Sequence, residues 1–444
     1  MSTHAPTATM PDRRLIIALS MIPTMDCFTN QLNNALDLRF GPVSFLQLLR
    51  GPLLLVFLFL IARHLKRQVG TRTAVPFAAL GAVALVAIAT SKEILLTGTL
   101  SLESVASYGQ LVYWLVLWTL VSLLIRSRAQ AELLLKGVAA GGVLTALSVF
   151  AGLVAGAGNY YSSDAVDASA GWFDTAKMIT GILVVSGIVI LYLGRARRSW
   201  LHPLAAMLCF AACVLTYARA GMAALGAALL WLTFWRFFLA PAGTGRWLTR
   251  LLALMLGALL LVPAVVDTHQ LLARWSDLGD SDKAGSGRAT FWKLAVNAYE
   301  DDDLAGQALG NGYHAMSTML FHEYGDDIKH THNDLFDMLL VGGLVGAMWL
   351  LTLVGSFVRQ SLLAPVRTAT AAASIAILLA YLCHGQLTGQ IWGTDAMTCY
   401  TFALLGITRP AERRQARRAA GGALTARATP AMETHPGEPD EQFA

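Results

Sequence analysis

The chain has 444 residues, of which 55% are apolar and 14% are charged, whereas a soluble domain carries about 25% charged residues. This composition excludes a cytosolic globular protein. The formal net charge is +5, and because the basic residues are distributed by membrane side, as shown below, it does not indicate a nucleic-acid partner.

The apolar residues form blocks of about 17 to 24 residues, which is the length that a helix needs to cross a bilayer. Strands of a membrane barrel would instead show short segments of alternating polarity. We therefore predict an all-α polytopic membrane protein with about 12 transmembrane helices. The predicted spans are 15–37, 43–62, 74–90, 108–125, 133–155, 177–194, 203–217, 221–239, 249–266, 335–358, 368–384 and 394–408.

The first span is the most polar, because it contains Asp26, Asn30 and Asn33. Part of it is expected to face other helices rather than lipid. Arg13 and Arg14 precede its apolar stretch as in a secretory signal, but no small-residue cleavage site follows. We interpret it as an uncleaved membrane segment.

Lysine and arginine cluster in alternate connections, for example at 63–72, 126–136 and 195–198, whereas most acidic residues lie in the other connections. The positive-inside rule then places both termini in the cytoplasm. The predicted divisions are residues 1–266 with helices 1 to 9, a periplasmic loop at 267–334, residues 335–408 with helices 10 to 12, and a disordered cytoplasmic tail at 409–444.

The loop at 267–334 is far longer than the other connections, and long loops are usually functional. His332-Asn333 stands at its end, nine residues before Gly343-Leu344-Val345-Gly346. An asparagine before an apolar run favours a helix start there. If residues 332–343 formed one straight helix, Gly343 would lie within about 20° of His332 around the helix axis. His332 would then be a general base at the outer membrane boundary, or simply an interfacial or capping residue.

Three arginines lie in or beside apolar segments, where a cation usually has an anionic partner or a wet cavity. Arg219 separates two apolar blocks, and it either meets an anionic substrate or extends to the interface. Arg288 opens a predicted helix at 289–300, with Trp292 and Tyr299 on its own face. That helix either offers Arg288 to a phosphate or is an ordinary amphipathic helix at the membrane surface. Arg50, in the second span, is a lesser candidate.

Other chemistry has weaker signals. His330-Thr331-His332-Asn333-Asp334 begins like a metal-binding HxHxD motif, but Leu335 follows where that motif continues with histidine. The five cysteines lie in or beside apolar blocks and suggest neither disulfides nor a thiolate metal site. A phosphate-binding glycine loop is absent from the sequence, so ATP hydrolysis is not expected.

The patterns Tyr-Ala-Arg-Ala-Gly at Arg219, Gly-Arg-Ala-Thr-Phe-Trp at Arg288, the Gly-Asn-Gly turn at 310–312, and His332-Asn333-x9-Gly343-xx-Gly346 resemble the O-antigen ligase and polymerase superfamily. The motifs cover about residues 200 to 350, and the topology is similar elsewhere. The histidine spacing resembles that of lipopolysaccharide O-antigen ligases, which are similar to GT-C-like membrane glycosyltransferases.

The resemblance implies an inverting transfer of O-antigen polysaccharide from undecaprenyl diphosphate to the lipid A core oligosaccharide, at the periplasmic face of the bacterial inner membrane. Neither a metal nor another cofactor is implied, and the expected partners are the lipid-linked donor, the lipid A core acceptor and membrane lipids. His332 would accept or orient the proton of the acceptor hydroxyl. Arg219 and Arg288 would hold the diphosphate, with Asn333, Gly343 and Gly346 in supporting roles.

Alternative functions remain open at this point. An O-antigen polymerase or a protein O-oligosaccharyltransferase would use the same donor, and a polytopic transporter or lipid flippase belongs to another class. The enzymatic interpretation requires His332, Arg219 and Arg288 to converge at the outward-facing end of the helical bundle.

Overall fold

The computed structural model describes residues 10–35, 39–40, 43–66, 77–154, 176–195, 199–241, 249–250, 253, 288–324, 330–392 and 396–408. These residues are helical apart from turns and one short antiparallel hairpin, β1 (Arg39–Phe40) with β2 (Val43–Ser44). The helices are α1 (Met10–Ala35), α2 (Phe45–Lys66), α3 (Phe77–Thr97), α4 (Leu102–Leu124), α5 (Arg128–Val154), α6 (Ala176–Gly194), α7 (Leu201–Leu215), α8 (Arg219–Phe234), α9 (Arg288–Glu300), α10 (Leu304–Leu309), α11 (Gly312–Tyr324), α12 (Asp334–Ser361), α13 (Ala369–Thr388) and α14 (Ala396–Thr408).

The protein is a helical membrane protein. Among the described residues, five helices are long and apolar enough to cross a bilayer: Leu102–Leu124, Arg128–Val154, Arg219–Leu239, Asp334–Ser361 and Ala369–Thr388. The third combines α8 with a π-helical turn at Trp235–Leu239. A helix also coincides with each other predicted span except 249–266, most of which lies outside the described residues. The total of twelve spans and the domain boundaries stay predictions.

The centre of the bundle is apolar and tightly packed. The middle of α6 is buried on all sides from Ile182 to Leu191, as expected for a helix surrounded by other helices rather than by lipid. A ladder of rings with successive centroids 5.5 to 6.3 Å apart joins α4, α12, α13 and α14. Its members are Trp114, Trp118, Phe357, Tyr381 and Tyr400.

Hydrogen bonds from two indole groups, one on α8 and one on the π-helical turn that follows it, hold this segment to α13 and to the connection before α13. The Nε1 of Trp231 donates to the carbonyl of Ala372 at 3.0 Å, and the Nε1 of Trp235 donates to the carbonyl of Val366 at 2.8 Å. A buried tryptophan normally satisfies its N–H group in this way. These bonds fix the direction of α8, which begins at Arg219.

The first two helices are joined by a buried ion pair. Arg50 on α2 lies 3.2 Å from the carboxylate of Asp26 on α1, and its guanidinium lies 5.5 Å from the ring centre of Tyr113. This pair accounts for Asp26, which faces a neighbouring helix as predicted, whereas the side chains of Asn30 and Asn33 lie outside the described part of the chain. Arg50 contacts an acid within the protein and is not needed as a substrate ligand.

Three helices of the predicted outer loop, α9, α10 and α11, are described, whereas residues 254–287 and 325–329 lie outside the described part. The helix predicted at 289–300 is observed at Arg288–Glu300. These three helices pack on one end of the bundle, where α12 begins. They therefore lie where the sequence predicts the candidate site.

Candidate active site

His332 lies in a constrained turn just before α12. Its φ angle is 60°, in the left-handed region that is unfavourable for residues with a Cβ atom. In the described part of the chain, Tyr217 with a φ angle of 50° is the only other non-glycine residue with a positive φ. Each of the two residues lies two positions before a helix, and these helices begin at Asp334 and Arg219. Strained backbone of this kind concentrates at functional sites.

Asn333 caps α12 and also joins it to α13. Its side-chain oxygen accepts hydrogen bonds from the N–H groups of Leu335 at 2.9 Å and Phe336 at 3.3 Å. Its amide nitrogen donates to the carbonyl of Gln386 at 3.2 Å. The predicted cap at Asn333 is confirmed, and His332 lies immediately outside the helix rather than on it.

Two aspartates in the first turn of α12 are fully buried and point in different directions. Asp334 accepts a hydrogen bond from the N–H group of Ile391 at 2.8 Å and lies 3.4 Å from the hydroxyl of Tyr381, which donates to it. Asp337 accepts two bonds from Thr331, at 2.7 Å from the backbone and 2.6 Å from the hydroxyl. Asp334 thus belongs to the α13 side of the helix, away from the arrangement that an HxHxD metal motif would need.

His330 contacts both His332 and Asp337. The backbone N–H of His332 donates to Nδ1 of His330 at 3.2 Å, and the two rings lie 4.3 Å apart by their centroids. The same Nδ1 atom is 3.7 Å from the Oδ2 atom of Asp337. Gly389 covers this group, since a Cβ atom there would lie 3.0 Å from His330 Nδ1 and 3.3 Å from His332 Cα.

The packing of α9 brings the residues that follow Arg288 to the His332 turn. Arg288 is buried, with 7% of its surface exposed, and it begins the helix. Phe291 is one turn later on the same face, and its ring centroid lies 6.2 Å from that of His332. The next residue, Trp292, packs 6.1 Å from Phe336. Trp292 therefore packs against α12.

Arg219 begins α8 at the same end of the bundle. Two residues later, Gly221 lies so close to Thr180 that a Cβ atom would be 2.4 Å from its side chain. The hydroxyl of Thr180 is 3.1 Å from Nε2 of the buried His384. His384 is two residues from Gln386, whose carbonyl binds Asn333. A continuous series of contacts therefore connects the start of α8 with the start of α12.

Gly343 does not lie on a continuous helical stripe with His332, so that prediction is wrong. The helix breaks at Gly343, with φ 58° and ψ −149°, a region open essentially to glycine alone. A Cβ atom there would lie 2.5 Å from backbone atoms of Ala308 and Gly310. The adjacent Asn311 donates its N–H to the carbonyl of Leu340 at 2.9 Å. Gly343 therefore lets the loop pack on the exposed backbone of α12.

Gly346 has a related role within α12. A Cβ atom at Gly346 would lie 2.4 Å from the carbonyl oxygen of Met338, because the break at Gly343 brings the two parts of the helix together. At a rise of about 1.5 Å per residue, both glycines are far from His332 along the helix. They support the packing of the loop and do not line the turn that carries the histidine.

A second polar network holds α11 beside the site. Glu93 on α3 is 1% exposed, and it accepts a hydrogen bond from the hydroxyl of Tyr108 at 3.4 Å. That hydroxyl accepts in turn from the backbone N–H of Tyr313 at 2.9 Å. The ring of Tyr313 lies 5.1 Å from that of Trp392, and burial raises the pKa of its hydroxyl. Tyr313 is therefore a neutral, structural residue next to the α13 connection.

Sequence reasoning did not identify Asp337, Gly389 or Glu93 as parts of this region. Asp337 had a usable signal, since it falls inside the predicted span 335–358 and an acidic residue at such a depth marks a functional site by default. Glu93 lies in a connection and had no such signal. The positive φ of Gly389, 65°, cannot be read from its neighbours in the sequence.

Residues 203–351 match the family model described as O-antigen ligase. The matched region contains Arg219, Arg288 and the complete His332 motif, and it excludes Arg50. No curated protein matches the chain.

Proposed function

Because residues 203–351 belong to the O-antigen ligase family, we propose that the protein transfers O-antigen polysaccharide from undecaprenyl diphosphate to the lipid A core oligosaccharide. The reaction takes place at the periplasmic face of the bacterial inner membrane. The observation that carries the proposal is the contact between Phe291 and His332. It joins the helix of a buried arginine to a strained histidine turn inside the matched region.

In the proposed reaction, a hydroxyl oxygen of the core sugar attacks the anomeric carbon of the donor glycan. The bond between that carbon and the diphosphate oxygen breaks, and the diphosphate leaves with the electron pair. His332 takes the proton of the hydroxyl, or holds the hydroxyl in line for the attack. Imidazole suits this role because its ordinary pKa is close to neutral pH. Attack opposite the leaving group inverts the anomeric configuration.

The two arginines would stabilise the leaving group. Negative charge grows on the diphosphate as the bond breaks, and fixed guanidinium groups in a site with little water stabilise it strongly. A planar guanidinium also forms paired hydrogen bonds with phosphate oxygens. Arg288 approaches from the loop helix and Arg219 from the start of α8, so we propose that they hold the diphosphate from two sides.

A lipid-linked donor agrees with the architecture. Its polyprenyl chain remains in the bilayer, its diphosphate lies at headgroup depth, and its glycan needs an aqueous space. Helix ends with an arginine at the membrane boundary, covered by an outer loop, suit all three parts. The identity of the acceptor and the direction of transfer are the parts of this proposal that the following experiment tests.

The proposal is tested with purified protein in lipid nanodiscs, supplied with undecaprenyl-diphosphate-linked glycan and lipid A core. The expected result on a gel is conversion of the core band into a ladder. Longer lipid-linked glycan without modified core would indicate a polymerase instead, and glycosylated protein would indicate an oligosaccharyltransferase. Absence of any joined product would favour a transporter or flippase and overturn the proposal.

A further inference from the structure

The side chain of Asp337 is buried, and its carboxyl group accepts hydrogen bonds from the turn that precedes α12 rather than from its own helix. The start of α12 is already capped by Asn333, and the backbone N–H of Asp337 bonds to the carbonyl of Asn333 at 2.9 Å. The carboxylate is therefore not needed as a cap. It turns back to Thr331. We propose that Asp337 is a positioning residue that, through Thr331, fixes the direction of the His332 imidazole. This inference rests on the proposed function.

The first link is Thr331. This residue is 0% exposed, and both its backbone N–H and its hydroxyl donate to the Oδ1 atom of Asp337. Two donors from one residue onto one oxygen fix both the backbone and the side chain at that position. The residue directly before His332 is therefore anchored to the interior of the protein.

The second link is His330. Its Nδ1 atom accepts the N–H of His332 at 3.2 Å, so this nitrogen carries no proton in the described arrangement. The Oδ2 atom of Asp337 lies 3.7 Å from the same nitrogen, which is beyond hydrogen-bonding distance. His330 therefore holds the backbone of His332, whereas the Oδ1 atom of Asp337 holds Thr331.

These links explain how His332 keeps a backbone conformation that is unfavourable for its side chain. A residue with a φ angle of 60° is held there only when its surroundings determine the conformation. Thr331 is anchored before it, Asn333 is anchored after it, and Gly389 covers its Cα atom at close range. The backbone of His332 is therefore fixed on both sides of the residue that carries the imidazole.

His330 and His332 have different contacts, and these contacts indicate different roles. His330 uses Nδ1 for the backbone of its neighbour and sits against a carboxylate. His332 packs on the α9 helix that carries Arg288, through the ring of Phe291. We therefore assign the proton transfer to His332 and a supporting role to His330.

The first test removes the hydroxyl of Thr331. In the ligation assay, Thr331→Val is expected to lower kcat by about 10- to 100-fold, since small displacements of a catalytic group have effects of that size. The KM for the lipid-linked donor should stay within about twofold, because donor binding does not involve Thr331. Thr331→Ser keeps the hydroxyl and should keep most of the activity. Unchanged kcat in Thr331→Val would overturn the inference.

Thr352→Val is the matched control. Thr352 is exposed on α12, and its hydroxyl donates to the carbonyl of Met348 in the same helix at 2.8 Å. This variant has the same chemical change without any link to the turn. It should have the kcat and melting temperature of the wild type.

Asp337→Leu serves if Thr331→Val does not fold. Leucine is similar in size but cannot accept either bond from Thr331. A lower kcat with an unchanged melting temperature would support the positioning role, and an unchanged kcat would overturn it.

A readout that does not need ligation separates this inference from the proposed function. Diethylpyrocarbonate modifies accessible imidazoles, and mass spectrometry of the peptide that contains His332 measures the rate. Thr331→Val should label His332 several-fold faster than the wild type and Thr352→Val. If the wild type gives no ladder but this difference is seen, the proposed function fails and the positioning role stands. Equal labelling rates would contradict the positioning role.

Discussion

The ring of Phe291 lies 6.2 Å from the imidazole of His332, measured between centroids. Phe291 belongs to the helix that starts at Arg288, and His332 belongs to the turn in front of α12. This contact joins two motifs that are far apart in the sequence. It brings the helix that carries Arg288 next to the turn that carries His332, as the proposed reaction requires.

His332→Ala is expected to abolish ligation while the protein remains folded and inserted. General base catalysis by one side chain contributes about 10²- to 10⁴-fold to a rate, and alanine at this position keeps no group for proton transfer. The initial rate of core modification in nanodiscs measures the loss. His322→Ala is the control, since His322 is exposed on α11, and it should keep wild-type activity. Ligation at the normal rate by His332→Ala would remove His332 from the mechanism.

Arg288→Ala should reduce use of the donor more than binding of the acceptor. Removal of one group that stabilises a developing negative charge costs about 10²- to 10³-fold in kcat. Arg288→Lys should recover only part of this, because an ammonium group lacks the planar fork of a guanidinium. Kinetics with each substrate varied in turn measure the two effects. Arg128→Ala is the control, because Arg128 is exposed and paired only with its neighbour Glu132 at 3.0 Å.

A double-mutant cycle tests whether both arginines hold one diphosphate. If Arg219 and Arg288 bind the same group, the two alanine substitutions should be non-additive in their effect on kcat/KM for the donor. Independent, additive effects would show that Arg219 acts elsewhere. A larger loss of acceptor binding than of donor use would count against the diphosphate role of Arg288.

Gly343→Ala is expected to destabilise the protein. The φ and ψ angles of Gly343 cost a residue with a side chain about 1 to 3 kcal/mol, and the new Cβ atom would collide with the backbone of Ala308 and Gly310. Thermal unfolding in detergent measures the change. Gly355→Ala is the matched control in the same helix, where a Cβ atom would have no neighbour within 4 Å. Equal melting temperatures for the two variants would contradict the close packing of the loop.

Asp26→Asn should destabilise the first two helices, because Arg50 would keep its charge in a buried position. Loss of one partner of a buried ion pair costs about 3 to 5 kcal/mol. The double variant Asp26→Leu with Arg50→Leu should be more stable than the single variant, since neither charge remains. Thermal unfolding gives the comparison. A single variant as stable as the wild type would show that this pair does not hold α1 to α2.

The sequence predicts the membrane helices and part of the site. Apolar block length depends only on local composition, so helices occur at the predicted spans wherever the structure describes them. The cap at Asn333 and the start of the helix at Arg288 are also local features, and both are observed. The polarity of the first span predicted a helix that partly faces its neighbours, and Asp26 is paired with Arg50 of α2.

Other features depend on contacts between distant segments, and the sequence could not predict them. The break at Gly343 arises because a loop presses its backbone onto α12, whereas helical periodicity assumes a straight axis. The packing of Trp292 on Phe336 likewise depends on where α9 lies. Asp337 and Thr331 are six residues apart and meet only because the turn at His332 folds back.

Main-chain atoms alone bring residues 308–310 against Gly343. Side chains on the outer surface of this loop, such as Asp301 and the 85% exposed Leu304, take no part in that attachment. Substitutions of these outward-facing side chains should therefore leave the attachment of the loop to α12 intact.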